Sequence, residues 1–461
     1  MPYILKNYYS PRKLFFFFGE GVLIFLSVNF VHLFFSHYEP LPGSIYLYGY
    51  RAMVLTAVFI LSFYFFDLYD LGEILSFPDV FSRFIQAFGI GCIILAFLYY
   101  FFPRVVIPSF IFWPSLAAVF ISVCLWRYLY NHILNKKMFA QTVIVIGTGK
   151  LAQDIAYELE KRRDSGFKIS HFIGSINPSF PLPPGIPVTA EADQLPLLCQ
   201  KYGIERVVVA MDDRRGTTPI QQLMDCKFMG FPVEYGINFY EKLTGKILVE
   251  KVNPDWIIFS NDFKKTRFTL TSKLVFEIIL AFAGLLVASP ILLFSAIIIK
   301  LESPGPVFYS QERVGLHGRI FKLIKLRSMR NDAEKNGPVW AMENDTRVTR
   351  FGQFIRKTRI DELPQMFNVL KGDMSFIGPR PERPVFVEKL SRSIPYYSLR
   401  HNVKPGISGW AQICYPYGAS EKDALRKLEY DLYYIKYMSM QIDFWVIFQT
   451  IKIMLFQKGS R

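Results

Sequence analysis

The hydrophobic residues of this chain form long runs at the front, short runs in the middle and both patterns at the rear. The front contains four apolar runs, each long enough to cross a bilayer as a helix. They extend from Leu14 to Phe35, from Ile45 to Phe66, from Phe81 to Phe102 and from Val106 to Tyr130. The pattern therefore predicts a membrane α-helical bundle of four transmembrane helices over residues 1–138.

Basic residues flank this predicted bundle on both sides and indicate its orientation. Cytoplasmic flanks of membrane helices are enriched in Lys and Arg, and an even number of spans returns the chain to its starting side. The flanking residues are Lys6, Arg12 and Lys13 before the first run, and Arg127, Lys136 and Lys137 after the last. We therefore expect both ends of the bundle in the cytoplasm.

The middle of the chain, residues 139–262, has the pattern of an α/β domain. Thr142 to Ile146 is a predicted buried strand, and Gly147-Thr148-Gly149 opens a helical pattern that continues through Leu159. Nucleotide-binding domains use this order of strand, glycine turn and helix to seat a diphosphate on the helix N-terminus. Gly147 and Gly149 are therefore candidate cofactor-binding residues of a Rossmann-like, doubly wound domain.

The ligand of this middle domain is less well determined than its fold. The next predicted strand, His171 to Ile176, ends without the Asp or Glu that would hold a ribose. Tyr157 and Lys161 have the spacing of a reductase pair, but they lie on the first crossover helix, where they cannot act as one. Redox chemistry is therefore not predicted in this domain.

The rear part, residues 263–461, begins with a further apolar run from Leu274 to Ile299. Its length would suit a fifth span, but basic residues flank both of its ends, which a span would place on opposite faces. Ser289-Pro290 lies in its middle, where proline removes a backbone donor and kinks a helix. We therefore predict a re-entrant membrane helix hairpin over residues 273–300, bent at Ser289 and Pro290, rather than a kinked span.

The chain after Leu301 mixes short strand and helix patterns and predicts an α+β domain. Near its end, Ile442 to Phe456 is apolar, and two interpretations are open: a helix on the membrane surface, or a helix packed on the domain. The predicted fold class is thus a membrane helical bundle, a Rossmann-like α/β domain and an α+β domain with a re-entrant hairpin.

Composition and charge narrow the class of partner. Of the 461 residues 51% are hydrophobic, including 45 Phe and 26 Tyr, and the formal net charge is +15. Together they indicate an anionic, membranous partner such as lipid phosphates or nucleotide-linked substrates. Nucleic acid is not predicted, because no nucleic-acid motif accompanies the charge. The five cysteines show no metal or redox spacing and predict no disulfide framework.

One acidic stretch stands out in the rear part: Asp361-Glu362-Leu363-Pro364-Gln365. The apolar positions that follow it predict a short helix, with Pro364 in its first turn and Gly372 at its end. A helix N-terminus favours anions, including the phosphates of a substrate. The two acids could supply a nucleophile and a metal ligand, or they could be ordinary helix caps.

Cations and tight turns surround this acidic stretch in the sequence. Because paired acids amid cations suit phosphates and Mg²⁺, we expect a phosphate-binding site here, although each cation could equally be solvated or structural. The upstream cations are Lys325, Arg327, Arg330, Arg347, Arg350, Arg356, Lys357 and Arg359. The downstream turns are Gly378-Pro379-Arg380-Pro381-Glu382-Arg383 and Lys404-Pro405-Gly406.

From about Phe268 to the C-terminus the chain resembles the monotopic phosphoglycosyl transferases, also called bacterial sugar transferases or polyprenyl glycosylphosphotransferases. The likeness rests on several motifs in a fixed order, and with four spans and a Rossmann-like domain in front the chain resembles the long members. The motifs are Ser289-Pro290, Gln311-Glu312-Arg313-Val314-Gly315, Lys325-Leu326-Arg327-Ser328-Met329, Asn344-Asp345-Thr346-Arg347, the acidic stretch, Gly378-Pro379-Arg380-Pro381-Glu382, and Lys404-Pro405-Gly406-Ile407-Ser408-Gly409-Trp410. Many members carry Lys-Arg and then Asp at the hairpin start, whereas this chain has Lys273-Leu274 and then Glu277.

The resemblance implies transfer of a sugar-1-phosphate from a UDP-sugar to polyprenyl (undecaprenyl) phosphate, with release of UMP. It implies that Asp361 attacks the phosphorus that bears the sugar, and that Glu362 holds Mg²⁺, with Asp361 as the other candidate ligand. Arg380, beside Pro379, would clamp a phosphate. Further candidate phosphate contacts are Lys325, Arg327 and Arg347.

The same resemblance implies a place and a role in the cell. The chain would be a multi-pass protein of the bacterial inner (cytoplasmic) membrane, with its catalytic domain on the cytoplasmic face, in contact with membrane lipids. It would act in the first membrane step of exopolysaccharide or O-antigen synthesis. A homodimer is one expectation for the oligomeric state, which the sequence leaves open, as it does the sugar.

Two other functions stay open from the residues. One is a membrane-anchored nucleotide-sugar dehydratase or epimerase that uses the Rossmann-like domain, although the catalytic Tyr and Lys and the ribose-binding acid that it needs are not found. The other is a non-enzymatic scaffold for polysaccharide assembly.

Overall fold

The structure is a computed structural model, and it describes most of the chain in two compact units, Met1–Thr244 and Gly245–Arg461. The described residues are 11–36, 45–69, 77–135, 140–162, 165–190, 192–212, 218–252, 254, 257, 263–330, 347–415, 418 and 420–456. Lys136 and Lys137, and the residues Asn344 to Thr346 of one predicted motif, lie outside them.

The first unit opens with four long helices at the four predicted apolar runs. They are α1 (Pro11–Ser36), α2 (Ile45–Phe65), α3 (Phe77–Phe101) and α4 (Ser109–Asn135). Each is long and apolar enough to cross a membrane. Side chains such as Leu55, Phe59 and Leu95 are fully buried between them, while many others expose apolar surface outward. A helix that is hydrophobic all round in this way is typical of a membrane span.

A buried ion pair joins the first and last helices of this bundle. Glu20 in α1 is fully buried, and its carboxylate accepts a hydrogen bond from Arg127 in α4, Nη2 to Oε2, at 2.9 Å. The Arg127 guanidinium also donates to the carbonyl of Leu68 at 3.0 Å and lies over the Phe16 ring, 5.3 Å from its centroid. Arg127 is therefore a structural partner inside the bundle and not simply a flanking cation, as the sequence pattern had indicated.

The rest of the first unit is a parallel-sheet domain, as predicted. Its five strands lie in the order β3-β2-β1-β4-β5, and every pairing is parallel. The strands are β1 (Gln141–Ile146), β2 (Phe167–Ile173), β3 (Val188–Thr189), β4 (Arg206–Val209) and β5 (Val233–Tyr235), and the helices are α5 (Lys150–Lys161), α6 (Leu195–Lys201), α7 (Ile220–Phe228) and α8 (Gly236–Thr244). β2 begins earlier than the predicted His171, because Phe167 to Ile169 pair with Gln141 to Val143.

The second unit is organised on one long helix, α9 (Arg267–Glu302), a single helical element of 36 residues that contains Pro290. Pro290 lacks the N–H that would bond the carbonyl of Leu286 in an unbroken helix. Ser289 Oγ donates to that carbonyl at 2.8 Å instead. The serine therefore satisfies the acceptor that the proline leaves open, which is how helices in lipid tolerate proline. The return of the chain at Ser289-Pro290 stays a prediction.

One face of α9 packs on the rest of the unit along almost its whole length. The buried residues recur at helical spacing and are Lys273, Glu277, Ala281, Ala288, Ser295 and Ile299. The opposite face exposes large apolar side chains, among them Ile279, Phe282, Val287, Phe294 and Leu301. α9 is also long and apolar enough to cross a membrane. α9 therefore has one face that packs on protein and an opposite apolar face that is suited to lipid.

The remaining elements of the second unit form a small α+β layer on α9. β6 (Phe308–Val314) and β7 (Ile320–Leu326) pair antiparallel, and β8 (Ser375–Ile377) pairs parallel with β9 (Gly406–Ser408). The helices are α10 (Arg350–Lys357), α11 (Gln365–Lys371), α12 (Pro384–Ser393), α13 (Trp410–Cys414), α14 (Glu421–Tyr437) and α15 (Met440–Phe456). In α15, Ile442 and Val446 are buried, so this helix packs on the domain, while Phe444 is exposed.

Candidate active site

The two predicted acids lie in a tight turn between two helices. α10 is followed by Arg359, which adopts a left-handed backbone with φ 61°, and then by a 3₁₀ turn over Ile360–Glu362. α11 begins only at Gln365, so the acids precede the predicted helix by a turn instead of capping it. A non-glycine residue in the left-handed region is uncommon and is often found at functional sites.

Glu362 is held by a cage of cations. It is buried, and its Oε1 lies 2.7 Å from Arg380 Nη2, 3.4 Å from Arg359 Nη1 and 3.5 Å from Lys325 Nζ. Burial by itself would raise the pKa of this carboxyl, but the cations, led by Arg380 and Lys325, outweigh it and hold the pKa well below its usual range. Glu362 is therefore a carboxylate at all pH values of interest.

Asp361, the neighbouring acid, has the opposite electrostatics. Its side chain is buried, and that burial, with the negative charge of Glu362 beside it, raises its pKa to about 6. Lys325, Arg356 and Arg359 offset part of this effect. Two adjacent carboxyls with pKa values pushed apart are a common basis for distinct catalytic roles. Asp361 is therefore ionised at neutral pH, but its surroundings stabilise that form poorly.

The loop after β8 carries Arg380 to this pair. At Gly378 a Cβ atom would lie 2.3 Å from the carbonyl oxygen of Lys404, so only glycine lets the two segments approach. The carbonyl of Pro379 accepts a hydrogen bond from the Gly406 amide at 3.0 Å. The two predicted turns therefore support each other, and Pro379 fixes the backbone that aims Arg380 at Glu362.

The first turns of α9 and strand β8 are joined by a buried network. Lys273 Nζ lies 2.9 Å from Glu277 Oε1 and 2.6 Å from Asp443 Oδ2, and it donates to the Ile377 carbonyl at 3.2 Å. Glu277 also accepts from the Phe376 amide at 3.1 Å. Glu277 thus contacts both Lys273 and the backbone of β8. This chain has Glu where many family members have Asp, and with Glu277 helix α9 is still attached to the strand that leads to Arg380.

The other predicted cations are not all at the acids. Arg327 is buried and donates to the carbonyls of Ser303 at 2.7 Å and Pro304 at 2.9 Å, just beyond the end of α9. These contacts give it a structural role, and its phosphate contact stays a prediction. Arg347 accepts a backbone bond from the Arg330 amide at 3.0 Å, and its phosphate contact also stays a prediction.

Two cations at the site were noted in the sequence but were not selected as site residues. Arg359 reaches Glu362 directly, and Arg356 contributes to the electrostatics of Asp361. The spacing of Arg359 gave a usable signal, because residues three positions apart in a helical turn are neighbours. Arg356 is five positions before Asp361, and its spacing gave none.

The paired acids also suit a divalent cation. Within the described residues no group of three or more His, Cys, Asp or Glu side chains could hold a metal ion. Mg²⁺, however, is commonly bound by one or two carboxylates together with substrate phosphates. Asp361 and Glu362 fit that donor set for a Mg²⁺ ion that binds with a diphosphate.

The glycine turn of the middle domain is occupied by an acid of the chain itself. Gly147 has a φ of 116°, as a tight turn requires, and Asp212 Oδ2 accepts a hydrogen bond from the Lys150 amide at 2.7 Å. A Cβ atom on Gly149 would lie 2.1 Å from that same oxygen. A diphosphate at this helix N-terminus would have to displace Asp212. Cofactor binding by Gly147 and Gly149 stays a prediction.

Comparison with known proteins identifies the family. The model of the bacterial sugar transferase family matches residues 268–457. The chain is 43% identical over 239 residues, 52% of its length and 56% of the relative's, to a UDP-N-acetylgalactosamine-undecaprenyl-phosphate N-acetylgalactosaminephosphotransferase of Aeromonas hydrophila.

Two longer matches are to proteins named UDP-glucose:undecaprenyl-phosphate glucose-1-phosphate transferase. One, from Xanthomonas campestris pv. campestris, is 31% identical over 362 residues, which cover 75% of this chain and 73% of the relative. The other, from Escherichia coli, is 33% identical over 356 residues, which cover 74% and 73%. By these similarities this chain, a membrane protein, belongs to the bacterial sugar transferase family and is an enzyme, a phosphoglycosyl transferase.

Proposed function

We propose that this protein transfers a sugar-1-phosphate from a UDP-sugar to undecaprenyl phosphate, with release of UMP, through a covalent intermediate on Asp361. The relatives act on undecaprenyl phosphate by name, and the three described above use either N-acetylgalactosamine or glucose. Because those sugars differ, the proposal leaves the sugar open. It places the reaction in bacterial polysaccharide synthesis.

The observation that carries the proposal is the electrostatic asymmetry of Asp361 and Glu362. Glu362 is locked as a carboxylate by three cations, whereas the pKa of Asp361 is raised to about 6 by burial and by Glu362. A nucleophile needs charge that is available for bonding and not already compensated. Asp361 meets that need, and Glu362 does not.

The first step forms one bond and breaks another. An oxygen of Asp361 attacks the phosphorus that bears the sugar, and the bond from that phosphorus to the oxygen of UMP breaks, so UMP leaves with the electron pair. Arg380 and Lys325 lie where they can stabilise charge on the phosphoryl oxygens. Glu362 would hold Mg²⁺ against the diphosphate, where the ion would neutralise negative charge.

The second step regenerates the enzyme. A phosphate oxygen of undecaprenyl phosphate attacks the same phosphorus, the acyl-phosphate bond to Asp361 breaks, and the polyprenyl diphosphate sugar leaves. Covalent catalysis thus divides one difficult transfer into two easier ones.

The exposed apolar face of α9 supports the use of a lipid acceptor. α9 exposes an apolar face while its buried face packs on the site domain. We infer that α9 is the re-entrant helix that holds this domain at the headgroup level of the cytoplasmic face of the inner membrane. We also infer that the parallel sheet, whose order reverses between β1 and β4, is a Rossmann-like domain.

The test uses full-length protein in nanodiscs with Mg²⁺ and a panel of UDP-sugars. Without acceptor, the wild type should release about one UMP per enzyme and gain the mass of one sugar phosphate. Undecaprenyl phosphate should then discharge the adduct. Asp361→Asn should fold but form no adduct, and the matched control Asp373→Asn should behave as wild type. Turnover by Asp361→Asn would contradict the nucleophile assignment, and absence of UMP release by the wild type from every UDP-sugar would favour a scaffold.

A further inference from the structure

A buried cluster lies behind the loop that carries Arg380. We call it the Arg400 cluster, and it consists of Arg400, Asp431 and Tyr397. Arg400 Nη2 lies 2.8 Å from Asp431 Oδ2, and Arg400 Nη1 donates to the Tyr397 hydroxyl at 2.7 Å. The side chains of Arg400 and Asp431 are 7% and 2% exposed, so the charges are almost completely removed from water.

The cluster reaches the active site through the backbone of Arg380. Arg400 Nη2 also donates to the carbonyl of Arg380 at 3.0 Å, while the side chain of Arg380 contacts Glu362 at 2.7 Å. Arg400 thus holds the backbone carbonyl of Arg380, and the side chain of Arg380 in turn holds Glu362.

The neighbouring carbonyls of the loop are held in the same manner. Arg313 Nη1 donates to the carbonyl of Pro381 at 2.9 Å, and the amide of Val314 donates to the carbonyl of Glu382 at 2.9 Å. Three successive carbonyls are therefore fixed by donors of the same unit. Of these donors, the Arg400 guanidinium is the one that bonds the carbonyl of Arg380.

Stability is a poor explanation for such a cluster. Burying an ion pair costs desolvation free energy that the pair often does not recover, and apolar replacements of similar size are frequently neutral or stabilising. A planar guanidinium, in contrast, presents several donors in a fixed geometry, which suits it to orient acceptors. Arg400 uses this geometry on three acceptors that belong to Asp431, Tyr397 and Arg380.

We propose that Arg400, held by Asp431, is a positioning residue that fixes Arg380 for the transfer reaction. This inference rests on the proposed function, because it assumes that Arg380 acts in phosphoryl transfer. A displacement of about 1 Å in a positioned group can reduce a rate by about 100-fold. Variants that loosen the cluster should therefore release UMP about 10- to 100-fold more slowly.

The experiment compares variants of the full-length protein in nanodiscs, with UDP-N-acetylgalactosamine and UDP-glucose as donors. The pair Arg400→Met with Asp431→Leu replaces the ion pair by apolar side chains of similar size. Arg400→Lys keeps the positive charge opposite Asp431. It lacks the planar guanidinium, which reaches the Arg380 carbonyl and Asp431 at the same time. Asp431→Asn is isosteric and keeps an acceptor, but it leaves Arg400 buried without its carboxylate and should lower stability, so the apolar double variant is the one expected to keep the wild-type unfolding temperature. Each variant is measured for the rate of UMP release without acceptor and for thermal unfolding.

A matched control uses a second ion pair on α14, in which the carboxylate is buried and the Arg426 side chain is 31% exposed. Arg426 Nη1 donates to both carboxylate oxygens of Glu429, at 2.8 and 2.9 Å, and Glu429 is fully buried. Its carbonyl accepts from the Ile247 amide at 3.0 Å, so this pair packs on another segment. Arg426→Met with Glu429→Leu should release UMP at the wild-type rate.

A purely structural role and a positioning role predict different results. If the cluster only stabilises the fold, Arg400→Lys and any variant that unfolds at the wild-type temperature should also react at the wild-type rate, and that result would overturn the inference. If Arg400 positions Arg380, folded variants stay slow, and Arg400→Lys does not restore the rate. A wild type that releases UMP from no UDP-sugar of the full panel would contradict the proposed function, and the inference would fail with it.

Discussion

Replacing Asp361 with Asn should make the protein more stable while it abolishes transfer. The buried carboxyl has a pKa of about 6 in the folded state against a usual value of 3.8. Folding therefore disfavours its ionised form, so the carboxyl destabilises the fold at neutral pH. This cost is absent below the unfolded pKa, grows as pH rises from 3.8 to 6, and is complete above pH 6. Asn has nearly the same shape and removes the charge.

The size of the effect follows from the two pKa values. One pKa unit corresponds to about 1.4 kcal/mol, so the rise from 3.8 to about 6 corresponds to about 3 kcal/mol at pH 8. Lys325, Arg356 and Arg359 lose an anionic neighbour in the variant. We therefore expect a net gain of about 1–3 kcal/mol at pH 8 and about half of that at pH 5. For a unit of this size, such a gain raises the unfolding temperature by about 5 °C.

The assay is thermal unfolding of the full-length protein in nanodiscs at pH 5 and pH 8, together with UMP release at pH 8. Glu362→Gln is the matched control in the same turn, because its pKa is held below the usual range by Arg380 and Lys325. Removing that carboxylate should destabilise the fold at both pH values. An Asp361→Asn variant that unfolds at or below the wild-type temperature at pH 8 would refute the argument that the ionised form of Asp361 destabilises the fold.

Three further predictions concern single contacts. Arg380→Met removes the closest cation of the carboxylate cage and should lower kcat/KM about 10- to 100-fold, because a charge-assisted hydrogen bond contributes about 1.5–3 kcal/mol; steady-state UMP release measures it. Ser289→Ala should destabilise the protein by about 1 kcal/mol in thermal unfolding. Ser272→Ala, which removes a similar hydroxyl bond near the start of the same helix and far from Pro290, should not, and equal effects would argue against the role of Ser289. Glu20→Gln leaves Arg127 buried without its carboxylate and should cost about 3–5 kcal/mol, measured by unfolding of the first unit, while a double apolar replacement of the pair should recover most of it.

The sequence by itself determined the elements whose signal is local. Four long apolar runs become four long apolar helices because the length and hydropathy of a span are properties of consecutive residues. The strand, glycine turn and helix of the middle domain were also predictable, since each short pattern dictates its own backbone. The candidate acid pair was recognisable because Asp361 and Glu362 are adjacent and are followed by a helix with its own start and stop signals.

Only the tertiary structure decided which side chains meet. Lys325 and Arg327 are two positions apart, a spacing that puts both on one face of a strand, but β7 ends at Leu326. Lys325 therefore reaches Glu362, while Arg327 turns to the carbonyls beyond α9. No local pattern contains that difference.

The same limit applies to the buried ion pairs. Glu20 and Arg127 are 107 positions apart, and Arg400 and Asp431 are 31 apart. The local sequence around each of these residues does not distinguish it from an exposed charged residue. Each pair becomes buried only when helices that are distant in the sequence pack together. Composition and spacing therefore determined the elements and the candidate acids and cations, and packing determined which of these charges meet.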